Sequence, residues 1–365
     1  LRRPALAATA AALTLATLAA IAALVLTHSG SNPASLVGEV RAELAARYVR
    51  PLSPAELRAP SVDDLLARLD DPYTVYLSPP EYRAIQAETT GTMVGIGLRL
   101  APGRASLRVL DTFPGSPAER AGLRPGDEIT AVDGLRLQGG SLADALARLQ
   151  GGRGTTVILR FHHPADDTVL TAGVVRRWIP LDPVRAHDVG RGADRVRIIR
   201  IASFSSGVAR QVRRLAFGAP AVLLDLRGDP GGLLQEAVAT ADVFLPSGVI
   251  VSWSGAHTAR QVVHANGSAT AAMPVAVLVD RRTASAAEIL AGALQDHHRG
   301  LIVGTRTFGK ATIQVVVPLA TGGALKLTAA TYRTPAGHDL HGRGVVPDVP
   351  ARRNAVAHAL ALLGR

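Results

Sequence analysis

Apolar positions recur at helical spacing from Leu36 to Val49, where Leu36, Val37, Val40, Leu44 and Tyr48 fall on one face. A second helix is predicted over Val62 to Leu69. It stops at Asp70-Asp71-Pro72, because the residue before a proline avoids helical backbone. Pro79-Pro80-Glu81 predicts the start of a third. From Gly91 the pattern changes to short runs with strand character: Val94 to Leu100, Ser106 to Asp111, Glu128 to Val132 and Thr156 to Phe161. Gly and Pro turns separate them. Helical pieces are predicted at Pro117 to Ala121 and Leu142 to Leu149, so five or six strands and two helices make a small domain ending near Arg177.

From Ile179 the pattern becomes strand–helix alternation. Strands are predicted at Val196 to Ile201, Ala221 to Leu226 and Val275 to Val279, followed in turn by helices at Gly207 to Leu215, Leu233 to Phe244 and Ser285 to Gln295. Leu301 to Val303, Ile313 to Pro318 and Leu325 to Thr331 read as further strands. This order predicts an α/β core, and the chain as a whole a multi-domain α/β (α+β) protein. The expected divisions are an anchor or signal at 1–30, a helical segment at 31–90, a small domain at 91–178 and the core at 179–365.

One run breaks the alternation of polar and apolar positions altogether. Arg2 and Arg3 precede an uncharged, Ala- and Leu-rich stretch from Pro4 to Thr27, long enough for one transmembrane helix. No convincing cleavage site follows it, and the leading arginines predict a cytoplasmic N-terminus. The expected location is the cell membrane, single-pass, with the bulk outside the cytoplasm; cleavage of the run would make the protein secreted.

Composition narrows the chemistry. The 365 residues are 47% apolar and 19% charged, which excludes a disordered protein. With no cysteine, disulfides, zinc–thiolate sites and a Cys nucleophile are excluded. Net charge is +11, but Arg and Lys are scattered and only 4% of residues are aromatic, so no nucleic-acid partner is expected.

Four stretches carry candidate chemistry. GSPAERAGLRPGDEITAVDG, Gly115 to Gly134, resembles a PDZ domain, a module that binds the C-termini of other polypeptides as an added strand. Gly95-Ile96-Gly97-Leu98 resembles its carboxylate-binding loop; the plainer reading is a glycine-containing strand start. LLDLRGDPGGLLQEAV, Leu223 to Val238, sets a Gly-rich turn between a buried strand and a helix, where backbone N–H groups suit an anion or oxyanion. A tight connection explains it equally well. RRTASAAEILAGALQDHHRG, Arg281 to Gly300, has Ser285 three residues before Glu288. That spacing is a capping box, yet it also sets a hydroxyl at the positive end of a helix. RTFGKATIQ, Arg306 to Gln314, carries Lys310; a lone loop lysine is usually a solvated charge.

Together TASAAEILAGALQD, FGKATIQ, DLRGDPGG, YRTPAGHDLHGRGVVPDV and LDDPYTVYLSPPEY resemble the carboxyl-terminal processing peptidases, PDZ-containing serine proteases of the S41 type. The resemblance spans roughly Leu36 to Val349. It implies a protease core of the ClpP/crotonase-like kind, with Ser285 as nucleophile, Lys310 as general base and Gln314 orienting the base. It implies oxyanion donors at the N–H groups of Gly231 and Ala286, and an acidic position of uncertain role at Asp296. The sequence departs from the family's usual residues at Ala287 (often Ser), Ala311 (often Gly) and Gly228 and Asp229 (often Asn).

The implied chemistry is self-consistent. A free lysine has a pKa of about 10.4 and must be lowered by roughly 2–3 units, at about 3–4 kcal/mol, to act as a base near neutral pH. His297-His298 is one helix length from Ser285, too far to be the base. His338 and His341 have a metal-like spacing but no second ligand cluster, so neither metal nor cofactor is expected. The expected function is a membrane-anchored serine endopeptidase cutting protein substrates near free C-termini, with an adaptor protein or a second copy as further partners. The rivals are a catalytically silent PDZ scaffold binding exported polypeptides and an acyl-transfer enzyme on the same core.

Overall fold

The computed structural model describes residues 33–364 apart from 104–105, 138–147, 181, 268 and 270–272. The apolar run Pro4 to Thr27 and most of the expected helix Leu142 to Leu149 lie outside the described residues. Among those described, no helix is long and apolar enough to cross a membrane. The protein divides into two compact units, each assembled from separate stretches of sequence.

The smaller unit gathers the described residues up to Arg83 with residues 251–263 and 311–341. Helix α1 (Pro33–Arg47) and helix α2 (Val62–Ala67) lay Val40, Leu44, Tyr48 and Leu65 on the face of a five-stranded sheet, against Leu325, Leu327 and Ala329. That sheet runs β1 (Val75–Leu77), β18 (Ala324–Arg333), β13 (Val249–Gly255) and β14 (Thr258–His264), with β17 (Thr312–Pro318) also on β18. The helical segment before residue 90 therefore shares its core with strands from far along the sequence, which helical spacing alone does not reveal. Helix α3 (Pro79–Thr90) leads onward.

The larger unit holds two sheets of six strands. In the first, β3 (Leu98–Pro102), β4 (Leu107–Thr112), β5 (Glu128–Val132), β7 (Thr156–His163) and β8 (Thr168–Val175) are in order, with β6 (Leu135–Arg136) beside β5. Alternation buries Val157, Leu159 and Phe161 of β7 against Leu107, Val109 and Leu123. The short helix α4 (Pro117–Arg120) starts at Ser116, whose hydroxyl accepts the Glu119 N–H. The predicted single strand Val94 to Leu100 is two strands. Its first part, β2 (Thr92–Gly95), pairs antiparallel with β9 (Arg177–Pro180), so the backbone enters and leaves this domain side by side. The break falls at Gly97, which has φ +82°; a β-carbon there would sit 2.3 Å from Ser116 Cβ.

The second sheet is ordered β10 (Val184–Val189), β11 (Val196–Ile201), β12 (Val222–Asp225), β15 (Val275–Val279), β16 (Leu301–Gly304) and β19 (Val349–Pro350), parallel from β11 onward. Every residue of β12 and β15 is buried, as continuous apolar runs in a covered parallel sheet require. Helices α5 (Val208–Ala216), α6 (Leu234–Ala241), α7 (Ala286–Asp296) and α8 (Ala355–Leu362) belong to this unit. Helix α7 is buried along nearly its whole length, with Ile289, Leu290, Ala293 and Leu294 inside.

Candidate active site

In an open parallel sheet, functional groups gather beyond the carboxyl ends of the strands. Here the loops after β12, β15 and β16 meet there and are tied by hydrogen bonds. Thr283, fully buried after β15, donates its hydroxyl to the Leu226 carbonyl after β12 at 2.8 Å. Its own carbonyl accepts the Phe308 N–H after β16 at 2.9 Å.

Ser285 stands two residues later, half-buried at the start of α7, with φ +55° and ψ −118°. That backbone is rare for a residue with a side chain and costs about 1–3 kcal/mol. An ordinary cap has extended backbone and holds the third helical N–H with its side chain. The capping box predicted by the Ser-x-x-Glu spacing does form: the Ser285 N–H donates to Glu288 Oε2 at 2.8 Å. The Glu288 N–H also donates to the Ser285 carbonyl at 2.8 Å.

Glu288 does far more than cap. It is fully buried, and its oxygens accept four hydrogen bonds. Oε1 takes the Thr307 hydroxyl and the Gly309 N–H (2.7 Å); Oε2 takes the Ser285 N–H and the Lys310 N–H (2.9 Å). The backbones of Ser285 and Lys310, 25 residues apart in sequence, are thus pinned to one oxygen atom. Thr307 is held from its other side by the Val345 N–H at 2.7 Å. Spacing alone marks Glu288 as a cap and leaves Thr307 unmarked; the available signals are the Glu three residues after Ser285 and a Thr three before Lys310.

The Gly-rich loop after β12 closes the other side. Gly231 has φ +98°, and a β-carbon there would lie 2.9 Å from both Ser285 Cβ and the Ala286 nitrogen. Only glycine fits so close to the helix start. Asp229 bridges the two strand ends: its carbonyl accepts the Ala284 N–H at 2.9 Å and its Oδ1 the Gly231 N–H at 2.8 Å. Of the two expected oxyanion donors, the Ala286 N–H has no partner among the described residues, whereas the Gly231 N–H is engaged by Asp229. Asp229 is fully buried, and burial pushes its carboxyl up to about 8. Nearby, Asp225 is held low despite burial, because Arg227 (2.7 Å) and Arg200 (3.2 Å) pair with it.

Gln314 lies on β17 in the smaller unit, where its Nε2 donates to Thr312 (2.8 Å) and Thr328 (3.3 Å). Asp296 ends α7, about 16 Å along the axis from Ser285. The His297 ring nitrogen meets the Val249 carbonyl at 2.7 Å. In the small domain, the Ile96 carbonyl accepts the Ala118 N–H (2.9 Å) and the Gly97 carbonyl the Phe113 N–H (3.0 Å). The turn Gly95 to Leu98 is therefore fastened through its carbonyls to the start of α4 and the loop before it.

Comparison with known proteins agrees with this architecture. The peptidase family S41 profile matches residues 195–351, and a PDZ domain profile residues 113–162. A carboxyl-terminal-processing protease of Synechocystis sp. is 38% identical over 325 residues, 87% of this protein and 76% of that one. A chloroplastic C-terminal processing peptidase of Tetradesmus obliquus is 38% identical over 320 residues, 81% of this protein and 69% of that one. The solved structure of a photosystem II D1 C-terminal processing protease matches with a TM-score of 0.57 at 31% identity, over 92% of this protein and 98% of that one. A strand–helix core carrying a PDZ domain, and relatives of this similarity over most of both sequences, lead to one conclusion: the protein belongs to the carboxyl-terminal-processing proteases, serine peptidases of family S41.

Proposed function

We propose that this protease cuts protein substrates near free C-termini with Ser285 as nucleophile and Lys310 as general base. The observation that carries this reading is the shared Glu288 oxygen, which holds the backbone N–H groups of both residues. A serine hydroxyl needs a positioned base to attack a carbonyl. Tying the two loops by their backbones to one buried carboxylate supports such an arrangement, and the strained Ser285 backbone sets this residue apart from an ordinary cap. The Ala286 N–H, at the positive end of α7, suits the developing oxyanion, with the Gly231 N–H as second donor once Asp229 releases it. Gln314 is carried as an orienting residue for the base on the family resemblance alone.

The substrate tail is assigned to the PDZ domain, its carboxylate against Gly95 to Leu98. Support comes from the turn's fastened carbonyls and the close approach at Gly97. The apolar run Pro4 to Thr27 is assigned to a membrane anchor, which puts the catalytic bulk on the far side of the membrane from Arg2 and Arg3.

The test is hydrolysis of an unstructured protein by the soluble part. Ser285→Asn keeps a short capping side chain and removes the nucleophile; it is expected to fold and not to cleave. A folded Asn variant with normal cleavage would return Ser285 to the role of helix cap. For the tail, amidating the peptide C-terminus removes a charged hydrogen-bond acceptor and should weaken binding about tenfold or more; equal affinity for acid and amide would remove the carboxylate from the recognition scheme.

A further inference from the structure

Asp229 is a fully buried carboxyl beside Ser285 that the Ser285–Lys310 chemistry leaves unused. Its Oδ1 holds the Gly231 N–H, and its Oδ2 has no partner among the described residues. Its own carbonyl holds Ala284, the residue before Ser285. Gly231 in turn backs onto Ser285 Cβ and the Ala286 nitrogen. The carboxyl thus controls a backbone donor beside the place where a tetrahedral oxyanion would form.

The charge state of such a group has two consequences. A carboxylate accepts a hydrogen bond about twice as strongly as a neutral acceptor, so it would keep the Gly231 N–H for itself. It would also set a negative charge near the negative charge developing on the substrate, and from its fully buried position that charge is weakly screened by water. A neutral carboxyl releases the N–H more readily and opposes nothing. We propose that Asp229 is a positioning residue that must be protonated for the oxyanion hole to work, so that its ionisation switches the protease off as pH rises. The proposal rests on the reading of Ser285 as nucleophile.

The surroundings favour the neutral form. Burial pushes the carboxyl up to about 8. Arg200, from β11, opposes that push only weakly, being committed to Asp225 and to the Arg227 carbonyl. Arg227, in the same loop, is also paired with Asp225. From the loop before Ser285, Asp280 takes the Gly228 N–H at 2.9 Å, and Arg282 approaches Gly228. Across Ser285 lie Glu288 and Lys310. None of these groups donates to Asp229 Oδ2.

The experiment is the pH profile of peptide hydrolysis from pH 6 to 10 for wild type, Asp229→Asn and Ser285→Ala. Wild type should fall above pH 8 by about tenfold per unit, as one ionisation requires, while Asp229→Asn, near-isosteric and uncharged, should lack that falling limb. A falling limb that persists in the Asn variant, or wild-type activity that keeps rising to pH 9.5, overturns the proposal. Should the Asn variant not fold, the rate at which a peptidyl phosphonate labels wild-type Ser285 reads the same oxyanion site. It should fall above pH 8, and a rate that does not fall overturns the proposal. Cleavage surviving in Ser285→Ala would instead defeat the nucleophile assignment itself, an outcome separable from loss or persistence of the alkaline limb.

Discussion

Glu288 and Asp229 are both fully buried, and both are fastened to the short stretch around Ser285. Their surroundings differ in the number of donors that reach them. Glu288 meets four, drawn from the start of α7 and from the loop after β16. Asp229 meets one, and its second oxygen meets none among the described residues. A buried carboxyl surrounded by donors is a rigid joint, because each bond lost would strand a backbone N–H away from water. A buried carboxyl with one donor is instead sensitive to protonation, since its charged form is poorly compensated. On the proposed reading, the two sides of the candidate site use the same functional group for opposite purposes, one for holding and one for responding.

The largest expected effect tests what the joint holds. Lys310→Arg keeps the backbone N–H to Glu288 and a positive side chain, but guanidinium does not deprotonate in a protein. Turnover should fall by about 10⁴-fold or more with the melting temperature little changed. Substantial cleavage by this variant would leave Glu288 holding together something other than a dyad.

Next comes the joint itself. By cap logic alone, Glu288→Gln would be harmless, since Gln serves in a capping box. The structure argues otherwise, because all four groups around the carboxylate are donors. An amide NH2 must face at least one backbone N–H, costing about 1–3 kcal/mol for each N–H left without a partner. Glu288→Gln is expected to lose stability in chemical denaturation and at least tenfold in kcat, with KM for peptides less affected. Wild-type stability and kcat would show that the capping reading was sufficient.

A smaller change comes from Thr307→Val, which deletes one donor to Glu288 and the acceptor of the Val345 N–H. A loss of about 1–3 kcal/mol is expected, with activity reduced but present. The smallest effect near neutral pH, and the one that isolates Asp229, is stability against pH. The folded-state carboxyl titrates at about 8, whereas an unfolded Asp titrates at about 3.9. The folded state therefore holds the proton more tightly between those values, and this contribution, complete below about pH 4, is lost as pH rises to about 8. Asp229→Asn does not titrate, so its melting temperature relative to wild type should climb across that window. A difference independent of pH would mean that Asp229 is not the responsive partner of the pair.

Much of this is legible in the sequence. The parallel core strands declare themselves as apolar runs, and Ser285, Lys310 and the Gly-rich loop stand in recognisable motifs. Strand β8 escapes such a reading because its residues are largely exposed, so no apolar alternation marks it. The break at Gly97 escapes it because its cause, the approach of Ser116, comes from another element. Order in sequence assigns residues 251–263 and 311–341 to the core, while the structure gathers them with the N-terminal helices.

Sequence by itself determined most of the local elements and singled out the residues proposed to react, because hydrophobic period, caps and glycines act over a few residues. Only the tertiary structure decided the partners. That the Ser285 and Lys310 N–H groups share one carboxylate oxygen, and that Asp229 has a single donor among the described residues, depends on three loops meeting beyond one sheet. Burial is a property of that meeting and not of any one loop, and burial sets what a carboxyl group costs and therefore what it can do.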